Sequence, residues 1–270
     1  MFNKYKNIRI NKNNPATNFT YDHYKKIIKE MKKTHEILNF KNVYELKFKN
    51  LMKINKFLIM RHDIELNLDR ALKLAEIENE FNISSTYFLL PSSDYNIFEE
   101  IEINKIREII KLGHDIGLHY DLELISKYSN NPKKIVMQII KILEEFYKIK
   151  IHAISSHMPM RSKKILQLPN IINTYDPKYF QQIKYLSDSN QAWREGDIIS
   201  NIRKYDKIHL LMHENCWSEN GLHFGMIILN DVFEKFETKW KQNMQLYRQM
   251  EDGIKQREKK DRDFKNLFIK

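Results

Sequence analysis

The stretch FLIMRHDIELNLDRA, residues 57–71, decides how this chain is read. Phe57, Leu58, Ile59 and Met60 form a short apolar run with the character of a buried strand. It runs straight into Arg61, His62, Asp63 and Glu65, and from about Asn67 an amphipathic helix takes over, with Leu68, Ala71, Leu72 and Ala75 on one face. A strand, a knot of titratable groups and a helix make one β/α unit. A second knot, GHDIGLHYD at 113–121, follows another helical segment in which Gly113 can serve as the C-cap.

Working outward from these two, further strands are expected at STYFLL (85–90), HAISS (152–156), NTYD (173–176), KYLSD (184–188) and HLLMH (209–213). With FLIM and DIGLH (115–119) they make seven, most of them separated by helical periodicity and none joined by a Gly-rich hairpin. Such alternation implies a mainly parallel α/β sheet. No glycine loop opens the first helix, so a dinucleotide-binding fold lacks its main mark. The expectation is a closed or nearly closed (β/α)7-type barrel over residues 21–232. A basic extension (1–20) dispensable for folding precedes it, and a charged helical tail (233–270) follows.

The composition limits the partners. The net charge is +11, but it is unevenly spread: residues 1–56 carry +10, residues 57–232 carry −3 and residues 233–270 carry +4. A slightly acidic centre without zinc-finger or RNA-binding signatures argues against nucleic acid. Cys216 is the single cysteine, so no internal disulfide can form. No apolar run reaches the ~18 residues of a membrane span, and the N-terminus lacks the apolar core of a signal peptide. A cytoplasmic protein is expected.

In a parallel barrel all strand C-termini open on one mouth, where active sites of such folds lie. Asp63 and Glu65 follow the first strand, His119 ends the third, His157 follows the fourth, and Asp176, Asp188 and His213 end later ones. Each alone has a plainer reading, as a helix N-cap or a hydrogen-bonded loop residue. Arg61 and His62 sit out of phase with the mouth and His114 alternates away from His119, so these admit structural roles. Together, carboxylates and imidazoles from at least four strands form the ligand set of a hydrolytic Zn²⁺-type site.

RHDIE, GHDIGLHYD, SSHMP, DSNQAWREGD and LLMHENCW, with the lead-in YDHYKKIIKEM, resemble in order the motifs of the polysaccharide deacetylase (NodB-homology) family. They are most similar to its RHDVD-type branch, associated with surface-polysaccharide biosynthesis. The resemblance spans about residues 20–218. It implies a distorted barrel that removes acetyl groups from sugars or glycans, in some cases carrier-linked, with a divalent metal such as zinc. By it, Asp63 is the catalytic base and His213 the general acid. Glu65 and His119 are metal ligands, and His157, in the place of a motif arginine, supplies a third. Asp188, Trp193 and Arg194 match the segment that orients the acid and lines the pocket. Arg61, Tyr120, Glu123 and Trp217 complete the expected substrate-contacting set. The chain departs from the pattern at Glu65, where the family has aspartate, and at Glu123, where it has histidine. Two other readings stay open: a metal amidohydrolase acting on a small amide, and a non-catalytic glycan-binding barrel.

Overall fold

The computed structural model describes residues 18–266. Among the described residues eight strands, β1 (Glu36–Leu38), β2 (Phe57–Ile64), β3 (Thr86–Leu89), β4 (Asp115–Tyr120), β5 (Ala153–Ser156), β6 (Ile172–Asn173), β7 (Lys184–Ser187) and β8 (Lys207–His213), pair in parallel. The main path runs β6-β5-β4-β3-β2-β8-β7. The sheet curls into a distorted (β/α) barrel left open between β6 and β7. The extra strand β1 pairs with the start of β2, at Glu36↔Phe57, while β3 takes the same strand from Arg61 onward. At three residues, β1 is too short to show period-two alternation, which is why the sequence reading passes over it.

Helices fill the connections: α1 (Tyr21–Thr34), α2 (Phe40–Leu51), α3 (Leu68–Glu80), α4 (Glu100–Lys111), α5 (Leu122–Tyr128), α6 (Pro132–Tyr147), α7 (Pro159–Ser162), α8 (Pro177–Phe180) and α9 (Ile198–Lys204). Their starts follow the local chemistry. Thr20, Asn67, Asp121 and Asn131 each cap the helix that follows by accepting a backbone N–H. The chain divides into two units, Met1–Ile227 and Ile228–Lys270. A last helix, α10 (Phe224–Asn266), begins in the first unit and makes up the described part of the second.

Strand alternation sorts the core. Leu58 and Met60 point outward and pack with Ile27, Ile28 and Met31 of α1 and Leu74 and Ile77 of α3. Phe57 and Ile59 point inward and meet Phe88, Ala153, Tyr179 and Ile183 inside the barrel. Phe88 lies across Gly117 on the neighbouring strand, and a Cβ at 117 would sit 2.3 Å from its ring. Gly117→Ala should therefore force this interior apart, at a cost of about 1–3 kcal/mol. A melting temperature within a degree of the parent would show that the ring moves aside freely.

His62 and His114 belong to the outer layer. Both surround Glu78, a buried carboxylate on α3 that also receives the hydroxyls of Tyr24 and Ser85. Burial opposes the Glu78 charge, but His62, His114 and these hydrogen bonds outweigh it and hold its pKa at about 2. This polar knot ties α1, α3 and β2 to the residues that lead into β3 and β4, on the outer side of the sheet. Residues 1–17 lie outside the described residues, whereas Phe19 is buried against Trp193 and Trp217 and Thr20 caps α1. Deleting the chain through Thr20 should therefore remove a buried ring and a helix cap, and lower the melting temperature.

Candidate active site

Residues 61, 63 and 65 alternate with 62 and 64, so Arg61, Asp63 and Glu65 climb one inner face of β2 towards its C-terminal end. Register does the rest. Asp63 is the direct cross-strand partner of His213 on β8, and His119 on β4 pairs with Ser155 on β5. His157 leaves β5 two residues later. Side chains far apart in the chain thus share one end of the barrel.

Glu65, His119 and His157 offer ligand atoms that all lie within 4.8 Å of one another. His157 Nδ1 stands 3.2 Å from His119 Nε2 and 3.3 Å from a Glu65 oxygen. His119 Nδ1 lies 3.0 Å from the Ser155 carbonyl oxygen. A carbonyl can only accept, so Nδ1 carries the proton and Nε2 presents its lone pair to the cluster. Burial pushes the His119 pKa down, which keeps the ring neutral. Burial pushes Glu65 up, but the hydrogen bond from His157 and the charge of His213 prevail and keep it ionised. Two imidazoles and an ionised carboxylate facing each other are the donor set of a divalent cation, so the residues fit the metal that the motifs imply.

Asp63 adjoins this cluster. Its Oδ2 accepts the Ser155 hydroxyl at 2.8 Å and lies 3.7 Å from Arg61 Nη2 and from His119 Nδ1. Its Oδ1 is buried with no hydrogen-bond partner among the described residues, an orphaned acceptor of the kind a reacting water satisfies. Burial raises the Asp63 pKa, yet Arg61, with His213 and the Ser155 hydrogen bond, outweighs it, so the carboxylate persists.

On the other wall, His213 Nδ1 is 2.7 Å from Asp188 Oδ1, and its backbone N–H donates to the same carboxylate. Trp217 Nε1 donates to Asp188 Oδ2 at 2.9 Å, which fixes that carboxylate from behind. Burial would strip the proton from His213, but the hydrogen bond and charge of Asp188, with Glu65 and Asp63, lift its pKa to about 9. It is an imidazolium at neutral pH.

Several expected residues sit elsewhere. Arg61 is fully buried below Asp63, donates to Ser155 and Thr174 and lies over the Tyr175 ring, so it serves Asp63 and does not reach a ligand. Tyr120 and Trp217 are buried and cannot offer a face to a sugar. The Tyr120 hydroxyl receives Asn173, and the Trp217 ring packs between Phe19 and Tyr24. Trp193 stacks on Phe19. Glu123, in the first turn of α5, pairs with Arg161 outside the imidazole cluster. Asp176 is the N-cap of α8. Arg194 lines an adjoining cavity with Tyr175 and Tyr185.

Two residues escaped the sequence reading. Ser155 joins three partners, giving its hydroxyl to Asp63, accepting from Arg61 and holding His119 with its carbonyl. Glu214, next to His213 in LLMHENCW, is fully buried and accepts the backbone N–H groups of Glu65, Leu66 and Asn67 at 2.7–3.2 Å. It pins the turn that carries Glu65. Its place beside a motif histidine was the one available hint.

No protein-family model matches this chain, and no curated protein matches it. Among solved structures it is similar to the peptidoglycan deacetylase PdaC from Bacillus subtilis, at 13% identity and a TM-score of 0.38 over 72% of this chain and 97% of that one. It is also similar to the chitin deacetylase from the fungal pathogen Colletotrichum lindemuthianum (13% identity, TM-score 0.41, 66% of this chain and 81% of that one). A third is the Xyl-CE4 domain of a multidomain xylanase from the hindgut metagenome of Trinervitermes trinervoides (13% identity, TM-score 0.39, 68% and 84%).

Proposed function

We propose that this protein is a metal-dependent deacetylase that removes an acetyl group from an acetylated sugar or glycan in surface-polysaccharide biosynthesis. The observation that carries the reading is the placement of Asp63 between a three-ligand cluster and an Asp188-held imidazolium. Hydrolysis of an acetamide needs a base, an acid and a means of polarising a poor electrophile, and these stand side by side.

Glu65, His119 and His157 would hold the divalent cation, zinc by its preference for imidazole and carboxylate. When bound, such an ion supplies Lewis acidity and lowers the pKa of a water towards ~7. Asp63 accepts the proton of the attacking water on its free Oδ1, while Ser155 and Arg61 hold Oδ2 and keep the carboxylate oriented. With Nδ1 of His213 committed to Asp188, the proton for the departing amine comes from Nε2. Burial of Arg61, Asp63 and His119 keeps bulk water from screening these charges.

The test is zinc analysis of the purified protein together with acetate release from acetylated sugars. Acetate release that depends on bound zinc supports the reading. A protein that takes up no divalent metal and releases no acetate removes it, leaving the glycan-binding barrel. One variant checks the scaffold of the metal cluster. Glu214→Gln keeps the volume but turns a carboxylate that collects three backbone N–H groups into a weaker acceptor. Zinc affinity should fall by about 10–100-fold, as for other residues that support ligands from behind. Unchanged zinc affinity in calorimetry would mean that the 65–67 turn holds itself.

A further inference from the structure

We propose that the cavity in the barrel's open seam binds an anionic group, phosphate or carboxylate, on the part of the glycan next to the acetylated sugar. The proposal rests on the deacetylase reading and adds the substrate class.

The seam lies between β6 and β7, the two unpaired ends of the strand path. A cavity of about 560 Å³ opens there. Its walls continue the segments that carry the chemistry. On one side the chain leaves His157 and supplies Lys163 and Lys164; on the other, Ser187 and Ser189 flank Asp188, and Arg194 follows. The cavity adjoins the site through Tyr175, whose ring lies against Arg61 beside Asp63.

Charge selects the ligand. Lys163, Lys164 and Arg194 line the cavity, and none of their side chains has an ion pair or hydrogen bond among the described residues. Some cations elsewhere on the barrel are matched, as Lys105 is by Asp69 and Glu102 and Arg203 by Glu30, but here three without partners border one cavity. Glu195, the one carboxylate on the lining, is committed to Lys184 at 3.6 Å. Three unmatched cations facing one space leave a positive potential that an anion would neutralise. This occurs in the slightly acidic region 57–232, so it is not an overflow of the basic chain ends. The floor suits a sugar: Tyr175, Phe180 and Tyr185 cluster with centroids 4.7–6.5 Å apart and offer an apolar surface for a ring face. The hydroxyls of Ser187 and Ser189 add neutral hydrogen-bonding partners.

The experiment measures binding without turnover, so it is decided separately from acetate release. Three probes are titrated at low salt: N-acetylglucosamine, N-acetylglucosamine 1-phosphate, and a disaccharide of N-acetylglucosamine and glucuronic acid. At least one charged probe should bind about tenfold or more tightly than the neutral one, and the better of the two tells whether phosphate or carboxylate is the natural group. The preference should shrink with added salt. It should also vanish in the triple variant Lys163→Gln/Lys164→Gln/Arg194→Gln and fall in Arg194→Gln alone, with zinc affinity intact in each. Equal affinity for all three probes would overturn the proposal. So would a preference that survives the triple variant, since the anion would then be held elsewhere, for instance by the basic N-terminus.

Discussion

Asp63→Asn is expected to lower acetamide hydrolysis by about 10²–10⁴-fold while the protein still takes up zinc. The amide keeps the shape of the carboxylate and one oxygen for the Ser155 hydroxyl, but no longer has an oxygen basic enough to take a proton from water. Because Glu65, His119 and His157 are the candidate ligands, the cluster should survive. The substitution also removes the counter-charge of a buried guanidinium. Breaking such a pair costs up to about 3–5 kcal/mol, less here because Arg61 keeps Thr174 and its place over Tyr175. Rates must accordingly be compared below the lowered melting temperature. His119→Ala is the contrast, since a methyl group cannot replace an imidazole ligand and zinc should be lost. Wild-type turnover by Asp63→Asn would refute the base assignment, and loss of zinc in that variant would move Asp63 among the ligands.

The second large effect separates substrates by leaving group. His213→Ala should lower sugar acetamide hydrolysis by a similar factor of about 10²–10⁴ and largely spare an activated aryl acetate, whose leaving group needs no proton. Equal losses on both would leave His213 a packing or positioning residue. The pH profile carries the same information. Burial lowers the His213 pKa, but Asp188 overrides it and sets the value at about 9, above the ordinary 6.5. The acid form, and with it amide hydrolysis, should fade as pH rises through about 9. The same shift bears on stability. A raised folded pKa contributes stability that is complete below 6.5 and lost as pH climbs through 9. In Asp188→Asn the upper limb of the rate profile should move down towards 6.5. A limb that stays put would mean that another group supplies the proton.

The candidate site was legible to the extent that its chemistry is local. Strand, titratable knot and helix recur along the chain, and strand-end residues of a parallel sheet must face one mouth, so Asp63, Glu65, His119, His157, Asp188 and His213 could be named together. Asp176 satisfied the same rule but caps a helix and accepts from Gln167, because position after a strand does not distinguish a mouth residue from the start of the next helix. Aromatic and cationic residues near the motifs were harder still. Whether Trp217, Tyr120 or Arg61 meets a ligand depends on what packs over it, and all three turned out covered.

By itself the sequence determined the parallel β/α order, the absence of any internal disulfide and the identity of the polar cluster, because periodicity and side-chain type are properties of neighbours along the chain. The tertiary structure alone decided the rest. Cross-strand register set Asp63 against His213 and Ser155 beside His119, and the return of β8 to β2 brought Glu214 over the turn of Glu65. The failure of β6 and β7 to meet opened the cationic seam. These depend on hydrogen bonds and burial between segments tens to more than a hundred residues apart, and no local pattern encodes which partner a strand edge or a buried carboxylate will find.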